Sequence, residues 1–223
     1  MANRQVEFAT EEWYHCYTRS IDKKRVFKDA NDYSRFLESL YLCNGSRNIL
    51  RGALYHPSRE HIFGLKRSEP LVAIGAYCLM PNHFHLLLRQ IVDKGISTFM
   101  QKMGTSFAMY YNRKYDHVGN VFIKPFRAKH IGQDDYFQRV VQYIHLNPVE
   151  IFEPKWKEGI VGNMNKLSRQ LEGYRYSSLV DYVGEKRLEN AIIDSKTANL
   201  FETPPLIESL LSEAAEYYQE INL

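Results

Sequence analysis

Hydrophobic positions along this chain follow two rhythms, one of period two and one near 3.6, and their succession predicts the elements. Trp13 to Thr18 is rich in aromatic and β-favouring residues and reads as a first strand. Tyr33, Phe36, Leu37, Leu40 and Tyr41 then recur at helical spacing, with Asp29 and Asn31 available to cap the helix. Residues 44–70 show no clear period and read as a variable loop or short hairpin. Leu71 to Met80 is almost wholly apolar, a strand buried on both faces. Pro81-Asn82 is a turn dipeptide, and a further strand opens at His83, which makes a hairpin.

Ile96, Phe99, Met100, Met103, Phe107, Tyr110 and Tyr111 share one stripe of a long helix that ends near Arg113-Lys114. A turn over residues 117–122 leads into a fourth strand bearing Lys124, Arg127 and Lys129. Pro125 makes that an edge strand or a break. A last strong helix runs from about Asp134 to Leu146 on a stripe of Phe137, Val140, Val141 and Ile144, and Pro148 stops it. Beyond Glu150 the rhythm lapses until a helix from about Pro205. The order β-α-β-β-α-β-α predicts an α+β fold, an antiparallel sheet with helices packed against it.

At 223 residues the chain suits one medium domain, or a domain with a substantial C-terminal extension. No run is long enough to span a bilayer and the N-terminus opens polar, so a soluble, cytoplasmic protein is expected. Cys16, Cys43 and Cys78 are isolated and odd in number, which argues against a disulfide framework and a cysteine zinc site.

The net charge of +3 says little, but its distribution says more. Between Ser97 and His130, Lys102, Arg113, Lys114, Lys124, Arg127 and Lys129 face a single acid, Asp116. A second cluster, Arg19, Lys23, Lys24, Arg25 and Lys28, is opposed by Asp22 alone. The tail reverses the sign through Glu208, Glu213, Glu216 and Glu220. A basic centre with an acidic tail points to an anionic ligand on the centre, and a solvated charged face is the plain alternative.

Candidate chemistry concentrates in two places. In Pro81-Asn82-His83-Phe84-His85-Leu86-Leu87-Leu88, a strand puts His83 and His85 on one face and Phe84, Leu86 and Leu88 on the other. Two imidazoles one pleat apart are suited to one metal ion or a phosphate. On the helix before Pro148, Tyr143 and Asn147 lie one turn apart on a shared face beside the buried stripe, while His145 turns away.

These two segments, the second being Tyr143-Ile144-His145-Leu146-Asn147-Pro148-Val149, resemble the two signatures of the single-tyrosine HUH transposases. The branch is the one associated with repetitive extragenic palindromes, related to insertion-sequence transposases. Tyr14-His15-Cys16-Tyr17-Thr18-Arg19, Gly119-Asn120-Val121-Phe122, Phe126-Arg127-Ala128-Lys129 and Tyr176-Ser177-Ser178 support the likeness, which covers residues 12–184. It implies a ferredoxin-like α+β domain over residues 1–150, with helices on one face of the sheet, and a helical C-terminal extension over 151–223.

It further implies single-stranded DNA cleavage and rejoining near hairpins, by a monomer or homodimer. His83 and His85 would bind Mg²⁺ or Mn²⁺, and Tyr143 would be the nucleophile that forms a 5′-phosphotyrosine link. Asn147 stands where many relatives have a glutamine contributing to the metal site, and is one methylene shorter. Arg19, Lys102, Arg113, Lys114, Arg127 and Lys129 would contact DNA, and tyrosines could stack unpaired bases. A phenol with a pKa of about 10 needs activation by metal or cation.

Three rival readings stand beside this one. The first is a domesticated hairpin-binding protein of the same fold without catalysis. The second is a histidine-based nucleotide hydrolase or transferase, which would want a third alternating histidine where Leu87 stands. The third is a zinc hydrolase drawing a further ligand from His15, His117 or His130.

Overall fold

The computed structural model describes residues 6–132, 134–158 and 162–195. The helix expected from Pro205 and the glutamates of the tail lie outside the described residues. Four strands, β1 (Trp13–Arg19), β2 (Val72–Met80), β3 (His83–Gln90) and β4 (Arg127–Ile131), form one antiparallel sheet in the order β2-β3-β1-β4. The β2-β3 hairpin turns at Pro81-Asn82, as its turn residues predict. Pro125 falls just before β4, which pairs with β1 alone and is therefore an edge strand.

Helix α1 (Ala30–Leu42) starts at Asp29, whose carboxylate accepts from the Asn31 and Asp32 backbone N–H groups while Asp32 reaches back to the Asp29 N–H. This reciprocal cap stabilises the helix by about 1 kcal/mol. Between α1 and β2, where a loop or hairpin was expected, lie a 3₁₀ turn at Arg51–Ala53 and the short helix α2 (Arg59–Gly64), capped by Ser58. Helix α3 (Gly95–Tyr115) buries Ile96, Phe99, Met100, Met103, Phe107 and Tyr111.

Strand alternation sends Tyr14, Cys16, Phe84, Leu86 and Leu88 into one core with α1 and α3. The opposite face is covered too. Helix α4 (Asp134–Leu146) lays Val140, Val141, Ile144 and Leu146 on Ala76, Cys78 and Leu87. The sheet thus carries helices on both faces rather than on one. A helix crossing the sheet face that holds the histidines brings a second set of side chains to them.

The chain after α4 folds back onto this layer. Helix α5 (Val149–Phe152) follows directly, then a 3₁₀ turn at Trp156–Glu158, and α6 (Met164–Glu172) packs Leu167 and Leu171 into the α4 core. Residues 176–178 run along β2, where Leu79 donates its N–H to the Tyr176 carbonyl (2.9 Å) and Ser178 donates to that of Tyr77 (2.9 Å). After α7 (Leu179–Tyr182), Arg187 closes the segment. Its guanidinium meets both Asp181 oxygens (2.9 and 2.6 Å), the Tyr77 hydroxyl (2.9 Å) and the Ser177 carbonyl (2.7 Å). No described helix is long and apolar enough to cross a membrane.

Candidate nucleic-acid-processing site

Strand register places the site residues. On β3, His83 and His85 face away from the α1–α3 core, opposite Arg19 and Tyr17 of β1. One pair further along, His15 stands opposite Leu87. On the other side of β1, Tyr17 faces Arg127 and His15 faces Lys129 across β4. Directly opposed residues share a face. One sheet surface therefore carries the rows His85-Tyr17-Arg127 and Leu87-His15-Lys129, with Arg19 and His83 at the end.

The imidazoles pack closely. His83 and His85 have ring centroids 5.1 Å apart with planes at 83°. The Nδ1 of His83 lies 2.7 Å from Asn82 Oδ1, and the Nδ1 of His85 lies 2.9 Å from His15 Nε2. His15 and His85 are only 3% and 5% exposed. Burial, aided by the Lys129 charge, holds the His15 pKa down at about 3, so the ring is neutral at ordinary pH.

Helix α4 supplies the opposing wall. Tyr143 sits edge-on to both rings, 5.4 Å from His85 and 5.5 Å from His15. Asn147, one turn later, donates its amide Nδ2 to the Tyr143 carbonyl (2.8 Å). Its amide nitrogen is thereby committed to the helix, and the carboxamide oxygen is the end suited to a cation. His145 points the other way, as the helical wheel requires, with Nε2 2.8 Å from Ser178 Oγ. Burial lowers its pKa to about 3.

His83, His85, Tyr143 and Asn147 line one open cleft of about 560 Å³. Arg19, Lys23 and Arg127 bring positive charge to its wall, and Tyr17, Asp22 and Glu150 also line it. Sequence reasoning missed Tyr17 and Glu150. Tyr17 belongs to the first strand of the site face, a placement that needs the strand register. Glu150 lies three residues beyond Asn147, and only the immediate restart of helix after Pro148 turns it toward the cleft.

The basic residues expected to touch DNA divide into two sets. Arg19 and Arg127 are in the cleft, and Lys129 adjoins it with its ammonium 4.7 Å from the Tyr136 ring. Lys102 instead donates to the carbonyls of Gly45 and Arg47, tying α3 to the loop after α1. Lys114 is held by Asp29 and Asp32, 2.7 Å from each. Both ammonium groups therefore have partners within the fold, away from the cleft. Arg113 lies on the exposed end of α3, outside the cleft.

As for a metal, the chemistry of the donor set fits. His83, His85 and Asn147 offer two imidazoles and a carboxamide oxygen to one cleft; the oxygen is the donor type that suits Mg²⁺ or Mn²⁺, and neutral imidazole is a common metal ligand. Among the described residues no group of three His, Cys, Asp or Glu side chains is arranged to hold a metal ion. The other candidate zinc ligands lie elsewhere, His117 on Asn112 (2.8 Å) and His130 on Glu12 (2.8 Å).

The four-stranded antiparallel sheet thus presents paired histidines to a helix-borne tyrosine, and comparison places the chain among known proteins. Residues 10–147 match the model of the IS200-like transposases, and the chain belongs to that family. Among solved structures, the chain is similar to a REP-associated tyrosine transposase bound to a REP hairpin. That match has 13% identity and a TM-score of 0.53, and covers 85% of this chain and 90% of the other. It establishes a shared fold. No curated protein matches the sequence.

Proposed function

We propose that the protein is a metal-dependent single-stranded DNA endonuclease and strand-transferase that cuts beside a DNA hairpin through Tyr143. The observation that carries this reading is the meeting of Tyr143 from α4 and Asn147 just after it with His83 and His85 from β3 in one basic cleft. His83, His85 and Asn147 would hold the divalent ion. When bound, that ion supplies Lewis-acid polarisation of a phosphate oxygen.

The chain's own residues account for the rest. Arg19, Lys23 and Arg127 hold the DNA backbone by its phosphates, and Tyr17 offers a ring on which an unpaired base can stack. The Tyr143 oxygen bonds to phosphorus as its phenolic proton leaves. The phosphorus–O3′ bond breaks, and the departing oxygen takes up a proton to become a free 3′-hydroxyl. The 5′-phosphotyrosine keeps the phosphodiester's energy, so an incoming 3′-hydroxyl reverses the step and joins strands. Sequence preference would come from the hairpin, since the family's structural neighbour was solved with one.

A covalent trap tests this reading. Protein, Mn²⁺ and labelled single-stranded hairpins from DNA flanking its own gene are resolved on a denaturing gel beside Tyr143→Phe. A protein–DNA band that vanishes in the mutant is expected. A native-gel shift without any covalent band would overturn the enzymatic reading and leave a hairpin-binding protein of the same fold.

A further inference from the structure

One buried histidine touches both halves of the site. His15 lies with Nε2 2.9 Å from His85 Nδ1, its ring stacked on His85 (5.1 Å, 24°) and on Tyr17 (4.8 Å, 30°). The Tyr143 ring packs against that of His15 with centroids 5.5 Å apart and planes at 71°. We infer that His15 is a positioning residue: it accepts the Nδ1–H of His85 and so fixes the tautomer and ring orientation in which His85 offers Nε2 to a divalent cation. The inference rests on the metal-binding reading of the cleft given above.

The argument is one of proton count. A 2.9 Å contact between two imidazole nitrogens requires one to carry hydrogen and the other a lone pair. If His15 were the donor, neutral His85 would carry its own hydrogen on Nε2, and that nitrogen could not ligate. If His85 is the donor, Nε2 carries the lone pair. A metal-bound His85 therefore requires His15 as the acceptor, with the His15 hydrogen on Nδ1. A ligating histidine usually finds such a partner in a carboxylate or backbone carbonyl, and that partner sets ligand orientation and basicity. Here a second imidazole takes the place. Its own orientation is set by stacking on Tyr17 and by its position on β1 between Leu87 and Lys129.

A histidine that merely packs would be replaceable by any apolar side chain of similar size. The test compares His15→Leu, which cannot accept a hydrogen bond, with His15→Gln, whose amide oxygen can. Mn²⁺ affinity of the full chain is measured by calorimetry without DNA. Nitrogen-detected NMR of the imidazoles reads the His85 tautomer without metal. The expected result is a wild-type His85 protonated at Nδ1. His15→Leu should then lose this preference and bind Mn²⁺ about 10- to 100-fold more weakly, with much of the loss restored in His15→Gln.

A wild-type His85 protonated at Nε2 overturns the inference, whether or not Mn²⁺ binds. So does equal Mn²⁺ affinity in the Leu, Gln and wild-type proteins. A wild type that shows the Nδ1–H tautomer but never binds Mn²⁺ would instead overturn the metal reading, and the inference with it. If His15→Leu does not fold, the wild-type tautomer and the His15→Gln affinity still decide.

Discussion

Tyr143 and His85 meet edge to face, ring centroids 5.4 Å apart and planes at 84°, although one rides on α4 and the other on β3. The contact depends on α4 crossing the site face of the sheet, and on Leu87, next on that face of β3, packing in the same core as Val140 and Ile144. Ile144→Ala should therefore destabilise the fold by about 2–5 kcal/mol. It should also lower the rate of phosphotyrosine formation in the fraction that remains folded. Urea unfolding and single-turnover cleavage on the same preparation separate the two effects.

Asn147 has two tasks, one for each end of its amide. Asn147→Ala removes the hydrogen bond to the Tyr143 carbonyl, about 1 kcal/mol, and the oxygen proposed for the cation. Asn147→Asp keeps an oxygen but loses the N–H donor. Calorimetric titration with Mn²⁺ should show weakened binding in the alanine variant and retained or tightened binding in the aspartate variant. Both should have lower thermal midpoints than the wild type.

Charge in the cleft and charge spent inside the fold should separate in a salt titration. Arg127→Ala and Arg19→Ala each remove a phosphate contact and should lower the slope of log K against log salt for a single-stranded hairpin by about 0.7. Lys114→Ala should leave that slope unchanged and lower the thermal midpoint, because its ammonium is held by Asp29 and Asp32. Fluorescence anisotropy at a series of salt concentrations reads the first effect, and a melting curve the second.

Asp32 accepts from Lys114, Tyr110, Tyr115 and the Lys28 N–H while its side chain is fully buried. Burial alone would raise its pKa, but these donors outweigh it and hold the carboxyl below its ordinary value. Asp32→Asn places an amide N–H₂ against groups that are themselves donors. It should destabilise the protein by about 1–3 kcal/mol, the range for leaving a buried polar group mismatched. Chemical denaturation measures it.

His145 supplies a pH dependence whose sign is fixed. Its folded pKa is about 3, against about 6.5 for an exposed imidazole, so the unfolded chain binds the proton more readily. Its contribution is fully present above pH 6.5 and declines as pH falls toward 3. The thermal midpoint should drop across that window, and His145→Gln should make the drop shallower by about one proton. His15 adds a second contribution of the same sign.

The parts legible in the sequence are those whose signal is local. Alternation at His83–Leu88 and the one-turn spacing of Tyr143 and Asn147 are backbone periodicities, and both segments fold as those periods require. The contact of His15 with His85 depends on strand register, which no local pattern carries. Lys102 and Lys114 resemble any other basic residues of the central cluster, because their partners come from the loop after α1 and from the α1 cap. Helix α2 is six residues long, too short to establish a period. Its visible mark is Ser58, which accepts the His61 N–H at its start.

Residues 176–178 and Arg187 act on β2 as a selvedge acts on cloth, finishing a border that would otherwise fray. The family match ends at residue 147, yet the hydrogen-bonding groups of β2 are met by chain some thirty residues beyond it. A fragment trimmed to the matched region would present β2 as an open template for strand addition. The least portable piece of this molecule is therefore longer than its recognisable signature, and a graft that carries the histidines and the tyrosine must carry that hem as well.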